Sequence, residues 1–463
     1  MKSVYISVLL LSTFTVSALA QNPPGEEPAI GHRMTQGEVT GGTLTVDELR
    51  KHGQLMFATP FNKLDGYGDG PLDPGDLTSP GGRPTLQGNG TFLRVNGLDA
   101  QTCMECHSVG SNAVVPFRFA VGGVGGSNNN AIFMPRNIDV DDEVAAGFAS
   151  FDGRYINPPF LFGSGGVELV AKEMTQDLQR LKRIAGQNPD QPFSLDTHGV
   201  NFGSLTWSTT LGGLDFSQVE GIDVDLVVRP FGRKGEFATV RGFDVEAMQF
   251  HFGMQPVEVV GAGVDADGDG VVDEVLPGEL SALHMFNVTL KRPFEEAPTP
   301  ETQAGFAGFV SIGCAECHTP AIETRNRGLS LTLPELETQP FDNEYYQMDL
   351  AGGNAGFAKV PGSGLSVGLF SDLKRHEMGA GLAESFGSSL DSEFITARLW
   401  GIADTAPYLH DGRATTLTEA ILKHGGEAQT SRDNYAALSD AEKINLLTFL
   451  RSLRTPIDPT GGL

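Results

Sequence analysis

The sequence predicts a mainly α-helical protein of two helical units, the first enlarged by a long loop-rich stretch with few short strands. Three observations predict it. One short cysteine motif occurs once in each half of the chain. Helix-start signatures stand ahead of both motifs and recur near the C-terminus. The long stretch after the first motif is rich in Gly and shows little sustained periodicity.

In chain order, residues 1–20 read as an export signal. Lys2 supplies the positive end, an apolar run passes from Val8 through Leu11 to Val16, and Ser17-Ala18-Leu19-Ala20 offers small residues for cleavage. That run is too short to span a bilayer as a helix, and no later stretch is long and apolar enough. A periplasmic or secreted location is therefore expected. Residues 21–42 are rich in Pro, Gly and Glu and read as a flexible leader. Thr45-Val46-Asp47-Glu48 is a capping box, and Leu49, His52 and Met56 follow at helical spacing to about Phe57. The stretch from Asp65 to Gly90 reads as loop. Helices are expected near Val167–Ile184 and Val245–Phe252, within an elaborated first domain over 43–298. A second domain over 299–463 opens with Thr299 as N-cap and Pro300 in the first turn. Thr416-Leu417-Thr418-Glu419 and Ser439-Asp440-Ala441-Glu442 start two further helices, with Gly425 ending the first.

The chain carries 32 basic and 58 acidic side chains, a formal charge of −26. Such a charge argues against nucleic acid and anionic membrane surfaces as partners. It suits long-range attraction of a basic redox protein. All four cysteines fall in two copies of one pattern, Cys103-Met104-Glu105-Cys106-His107 and Cys314-Ala315-Glu316-Cys317-His318. Two thiols followed at once by histidine form the attachment signature of c-type haem. The thiols become thioethers, and His107 and His318 become proximal iron ligands. A shared zinc site would need its two cysteine pairs much closer together, and a redox dithiol leaves both histidines unexplained. The expected fold is thus two cytochrome-c-like haem domains holding two covalently bound haem c groups.

Thr396-Ala397-Arg398-Leu399-Trp400-Gly401, then Thr405-Ala406-Pro407-Tyr408-Leu409-His410-Asp411-Gly412 and Glu419-Ala420-Ile421, resemble the bacterial di-haem cytochrome c peroxidase and MauG superfamily. With Lys423-His424-Gly425-Gly426-Glu427-Ala428 the wording is most similar to its di-haem oxidoreductase, thiol-oxidoreductase-like branch. The resemblance covers both cysteine motifs and about Phe394 to Leu453. It implies a sixth ligand for the second haem fourteen residues after His410, which is His424. His410 is then a structural residue of a tight turn. The peroxidases place a removable distal histidine at a position that is Gly123 here, and no histidine lies between His107 and His198. The His107 haem is accordingly expected to be open unless Met134 or His198 reaches it. The resemblance also points to Glu168, in Pro158-Pro159-Phe160-Leu161-Phe162-Gly163-Ser164-Gly165-Gly166-Val167-Glu168, as a catalytic distal carboxylate, with Glu173 second. The basic run Arg229-Pro230-Phe231-Gly232-Arg233-Lys234-Gly235 and Arg241 are candidates for haem propionates, and Trp400 for a place between the haems.

Asp265, Asp267, Asp269 and Asp273 occupy positions 1, 3, 5 and 9 of a calcium-type loop, with Gly270 at 6 and the Val271 carbonyl at 7. Position 12 is Leu276, so Glu274 or Glu279 is left to substitute for the usual glutamate. Bound Ca2+ is expected. The function implied is a periplasmic di-haem oxidoreductase, peroxidase-like, with an electron-transferring second haem, a redox-protein electron partner, and peroxide or dioxygen as substrate. An oxidase or dioxygenase acting on an organic or protein substrate is one alternative, and a non-catalytic electron carrier is another.

Overall fold

The computed structural model describes residues 26–68, 100–107, 132–139, 150–362, 364–384 and 390–463. The export signal, the Asp65–Gly90 loop beyond residue 68 and Gly123 lie outside them, as does the side chain of Met134. The helices are α1 (Gln36–Thr40), α2 (Val46–Ala58), α3 (Ser164–Gln187), α4 (Val240–Phe252), α5 (Val257–Val260), α6 (Pro277–Val288), α7 (Pro300–Ser311), α8 (Leu417–Leu422), α9 (Gln429–Ala437) and α10 (Asp440–Arg451).

Between the helices the chain forms small antiparallel sheets, so the expectation of a mainly α-helical fold is corrected to a mixed one. β1 (Ile132–Asp139) pairs with β2 (Ser150–Ile156), and β3 (Pro192–Thr197), β4 (Val200–Ser208) and β5 (Gly213–Asp215) form a meander. The remaining strands are β6 (Phe294–Glu295), β7 (Ile322–Glu323), β8 (Gly328–Thr332), β9 (Glu344–Asp349), β10 (Ala358–Lys359), β11 (Leu365–Val367), β12 (Arg375–Glu377), β13 (Glu393–Ile395) and β14 (Leu453–Arg454). They pair as β6 with β14, β8 with β9, β12 with β13, and β10-β11-β7. Most of these strands are too short to show a period-two pattern.

Two helix crossings are built alike. α2 starts at Thr45, whose hydroxyl accepts from Glu48 N while Glu48 accepts from Thr45 N at 2.8 Å. Its buried face carries Leu49, Gly53, Met56 and Phe57. Gly53 lies on α6, where an added Cβ would overlap the Ala282 carbonyl and come within 2.7 Å of Phe286 Cβ. α7 crosses α10 in the same way. A Cβ on Gly305 would overlap the Asn445 carbonyl and come within 2.8 Å of Phe449 Cβ. Four residues after each glycine stands a phenylalanine that meets its partner helix. Phe57 and Phe286 have ring centroids 5.6 Å apart, and Phe309 and Phe449 5.5 Å. The two short turns Cys103–Glu105 and Cys314–Glu316 follow these crossings.

The largest core joins the two halves. α3 buries Val167, Leu169, Val170, Met174 and Leu178 in one cluster with Phe202 and Leu205 of β4, Leu329 and Leu331 of β8, and Val367 of β11. Residues before and after 298 therefore share a core, and the middle segment is not an appendage of the first unit alone. The leader is also partly packed. Ile30, Met34 and Val39 are buried. Arg33 Nε donates to Glu279 at 2.5 Å, and Nη2 donates to the Asp273 carbonyl at 2.6 Å.

Candidate functional site

The second cysteine motif opens after Gly313, whose φ of 92° lets the chain turn sharply out of α7. His318 N donates to the Cys314 carbonyl at 3.0 Å, which folds the histidine back over the turn. Its Nδ1 is 3.2 Å from the Phe370 carbonyl. His424, just past α8, has Nδ1 2.8 Å from the Ala420 carbonyl. The two rings stand 6.4 Å apart, centroid to centroid. Two imidazoles on opposite sides of one metal ion, each bonded at about 2 Å, require a spacing of roughly this size. Burial pushes His318 down to about 4 and lowers His424 as well, so both rings are neutral and able to donate a lone pair. The backbone carbonyls on Nδ1 leave Nε2 as the ligating edge.

A cavity of about 550 Å³ surrounds this pair. Cys314, Cys317, Tyr408 and Leu446 line it with the histidines, as do Phe160, Arg398 and Trp400. Arg398 is a residue the sequence reading did not single out. It donates to the Pro230 and Phe160 carbonyls, both at 3.0 Å, and pairs with no carboxylate among the described residues. Burial pushes it down to about 10. Trp400 is buried with its Nε1 lacking a hydrogen-bond partner among the described residues. A partly buried cation with no carboxylate partner among the described residues and an orphaned indole N–H suit the propionates of a haem, which must be compensated when taken out of water. The residues present therefore fit the group.

The first motif packs into a second apolar cluster. Cys103 and Cys106 lie against Phe57, Phe61, Met248, Phe252, Leu283 and Phe286. His107 is 6.3 Å from Phe57, as His318 is 6.4 Å from Phe309. Asp244 of α4 is buried, accepts from Asn287 Nδ2 at 2.9 Å, and carries a carboxyl raised well above the usual range by burial. The α4 face bearing Glu246, Ala247, Phe250 and His251 lines the same cavity as the second motif.

Several expected residues lie elsewhere. Glu168 is fully buried outside the cavity wall. Its Oε2 accepts from Val240 N at 2.9 Å and lies 3.0 Å from His284 Nε2, and Oε1 is 3.2 Å from Lys172 Nζ. Burial alone would raise its carboxyl, but His284 and Lys172 outweigh burial and hold it ionised. Through Val240 it anchors the first turn of α4. Glu173 is also enclosed, accepting from Arg325 N and Asn326 N at 2.8 Å each, so it ties α3 to the β7–β8 connection. His198 bonds the Glu323 carbonyl and lies 3.3 Å from Glu173, which removes it as a ligand of the first motif. Arg229 pairs with Asp225 and Glu337, Arg241 with Glu258, and Arg233 with Glu384, so Arg398 is the better propionate partner. His410 stacks on Phe394 at 4.4 Å, and its backbone carbonyl accepts from Asn157 N at 2.7 Å, in keeping with a structural place in the turn.

In the calcium-type loop, carboxylate oxygens of Asp265, Asp267 and Asp269 lie within 4.8 Å of one another. Asp273 turns its Oδ1 to Gly263 N at 2.7 Å, and Glu279 is held by Arg33. Glu274 lies beside that group without being one of its three members. It is buried against Gly66, its Oε1 has no partner, and burial beside Asp267, Asp269 and Asp265 pushes it up to about 8.

Residues 347–453 match the family model described as "Di-haem oxidoreductase, putative peroxidase". No protein of curated function matches the chain. Among solved structures, a Kuenenia stuttgartiensis hydrazine synthase pressurised with xenon is 16% identical at a TM-score of 0.34, over 96% of this chain and 100% of that one. A MauG-like protein associated with microbial copper homeostasis is 17% identical at a TM-score of 0.26, over 64% of this chain and 90% of that one. Likeness at these scores carries no functional inference. The family match falls on the segment that holds Arg398, Trp400 and His424, and bears out the resemblance over that segment.

Proposed function

We propose that this chain, with its di-haem oxidoreductase segment, is an exported c-type cytochrome that reduces peroxide with electrons from a small redox protein. The observation that carries the reading is the His318–His424 pair at 6.4 Å across a cavity walled by Cys314 and Cys317. Each haem supplies, when bound, a one-electron iron centre, and an axial position free of protein is where a small oxidant can bind.

The chain's own residues divide the work. Cys314 and Cys317 tether the second haem, His318 and His424 close both of its faces, and Arg398 and Trp400 hold its propionates. That makes it the electron-transfer site. Cys103, Cys106 and His107 hold the first haem, where peroxide is reduced. Peroxide takes up two electrons and two protons to become two waters. Asp244, kept protonated by burial beside Cys103, is the candidate proton donor there. The negative surface favours a basic electron donor. Asp265, Asp267, Asp269 and Glu274, with the Val271 carbonyl, hold calcium. Export to the periplasm supplies the compartment in which haem c is attached.

The test is to produce the protein with a cytochrome maturation system, count haems by mass, and follow oxidation of a reduced small cytochrome after adding hydrogen peroxide. Two haem increments and peroxide-dependent oxidation, slowed at least tenfold in Asp244→Asn, are expected. Two haems with no oxidation of any donor would make the protein an electron carrier.

A further inference from the structure

The chain repeats a longer unit than the cysteine motif. Before α8, Pro407-Tyr408 begins a tight turn closed by an antiparallel bridge from Tyr408 to Ala414. Before α4, Pro230-Phe231 begins a turn closed by an antiparallel bridge from Phe231 to Phe237, at the same spacing. A threonine caps each following helix. Thr416 accepts from Glu419 N, and Thr239 accepts from Gly242 N. The helices then carry one wording, Glu419-Ala420-Ile421-Leu422-Lys423-His424-Gly425-Gly426 and Glu246-Ala247-Met248-Gln249-Phe250-His251-Phe252-Gly253. Glu, Ala, His and the final Gly fall in register.

The register continues in space. α2 on α6 and α7 on α10 cross at equivalent glycines, and each motif histidine lies beside the phenylalanine one turn on. Ala247 and His251 line the cavity, as Ala420 and His424 do. Met248 and Phe252, the neighbours of His251 on α4, pack in the cluster that covers Cys103 and Cys106. Gly253, at a φ of 69°, ends α4 directly after this turn and leaves His251 at the helix end.

We propose that His251 is the axial partner of His107 on the first haem, the counterpart of His424 on the second. The first haem is then closed on both faces in the oxidised protein. This deepens the reading of the His107 haem as the peroxide site and rests on it. Glu168 becomes a positioning residue for this ligand, since its carboxylate fixes Val240 at the start of the same helix.

The test is electron paramagnetic resonance and optical spectroscopy on the haem-loaded, oxidised protein. Wild type is expected to show two low-spin ferric signals. His251→Ala should convert one of them to high spin, and added imidazole should restore it. His251→Met should keep the signal low-spin and raise one midpoint potential, which separates loss of a ligand from loss of fold. A high-spin signal already present in wild type, or no spectral change in both variants, overturns the proposal. If the variants change the spectrum as expected but wild type turns over no peroxide, the ligand assignment stands and the peroxidase reading falls.

Discussion

At His318 and His424 a single backbone carbonyl on each Nδ1 sets the tautomer and aims the ring. The consequence is measurable in the potential of one haem. His424→Met substitutes a thioether that favours ferrous iron, so one midpoint potential should rise, on the order of 100 mV, while the other stays put. A redox titration showing both or neither moving would exclude His424 as a ligand. His376 makes a second residue-scale prediction. Burial works against its cation, but the carboxylates of Asp372 at 2.9 Å and Glu427 at 2.7 Å favour it and hold His376 well above its ordinary value. A histidine with a raised folded pKa contributes stability that is complete below its ordinary value of 6.5 and is lost as pH rises from there toward the raised value. Thermal midpoints should therefore fall between pH 7 and 10, and His376→Gln should flatten that slope. Residues of this kind were unevenly legible. His107, His318 and His424 stand in wording that names their chemistry. Arg398 shows its lack of a carboxylate partner only once the cavity is closed around it.

The paired helix crossings decide stability at the scale of elements. Each depends on a glycine that lets two backbones approach, so Gly53→Ala and Gly305→Ala should each cost about 3 kcal/mol, the upper part of the range for overpacked cores. The two should differ in which haem they disturb. Gly53→Ala should alter the His107 signal, and Gly305→Ala the His318 signal, with unfolding followed by circular dichroism. If both variants melt like wild type, the crossings are not the anchors described. Helix starts were readable because Thr45, Thr299, Thr416 and Ser439 cap through short-range bonds. α6 was not readable. It is buried at every position from Gly278 to Val288, so it has no polar face and no helical period to betray it. α4 begins five residues earlier than its pattern suggests, because Thr239 caps it and Glu168 holds its first turn.

Across the whole molecule α3 binds the two halves into one core, so damage at one end should be felt at the other. The calcium-type loop is a direct way to probe that coupling. Glu274 lies against Gly66, and the next residue, Tyr67, donates to the Ala100 carbonyl three residues before Cys103. Calcium at one hundred times its dissociation constant should stabilise the protein by about 2.7 kcal/mol. The gain should vanish in Asp267→Asn, checked by melts with calcium and with chelator. An unchanged midpoint with calcium in the wild type would remove the site.

The sequence by itself determined the haem motifs, the helix caps, the calcium-type carboxylates and the resemblance carried by the last third of the chain. All of these are local, since neighbouring residues supply the donors and acceptors that give them meaning. Tertiary structure alone decided that Glu168 is an anchor inside the fold, that Glu274 is buried beside the acidic cluster, and that α4 presents His251 to the cavity. Those assignments depend on burial and on contacts between distant segments. A side chain's charge, exposure and partners are set there by whatever the rest of the chain packs around it.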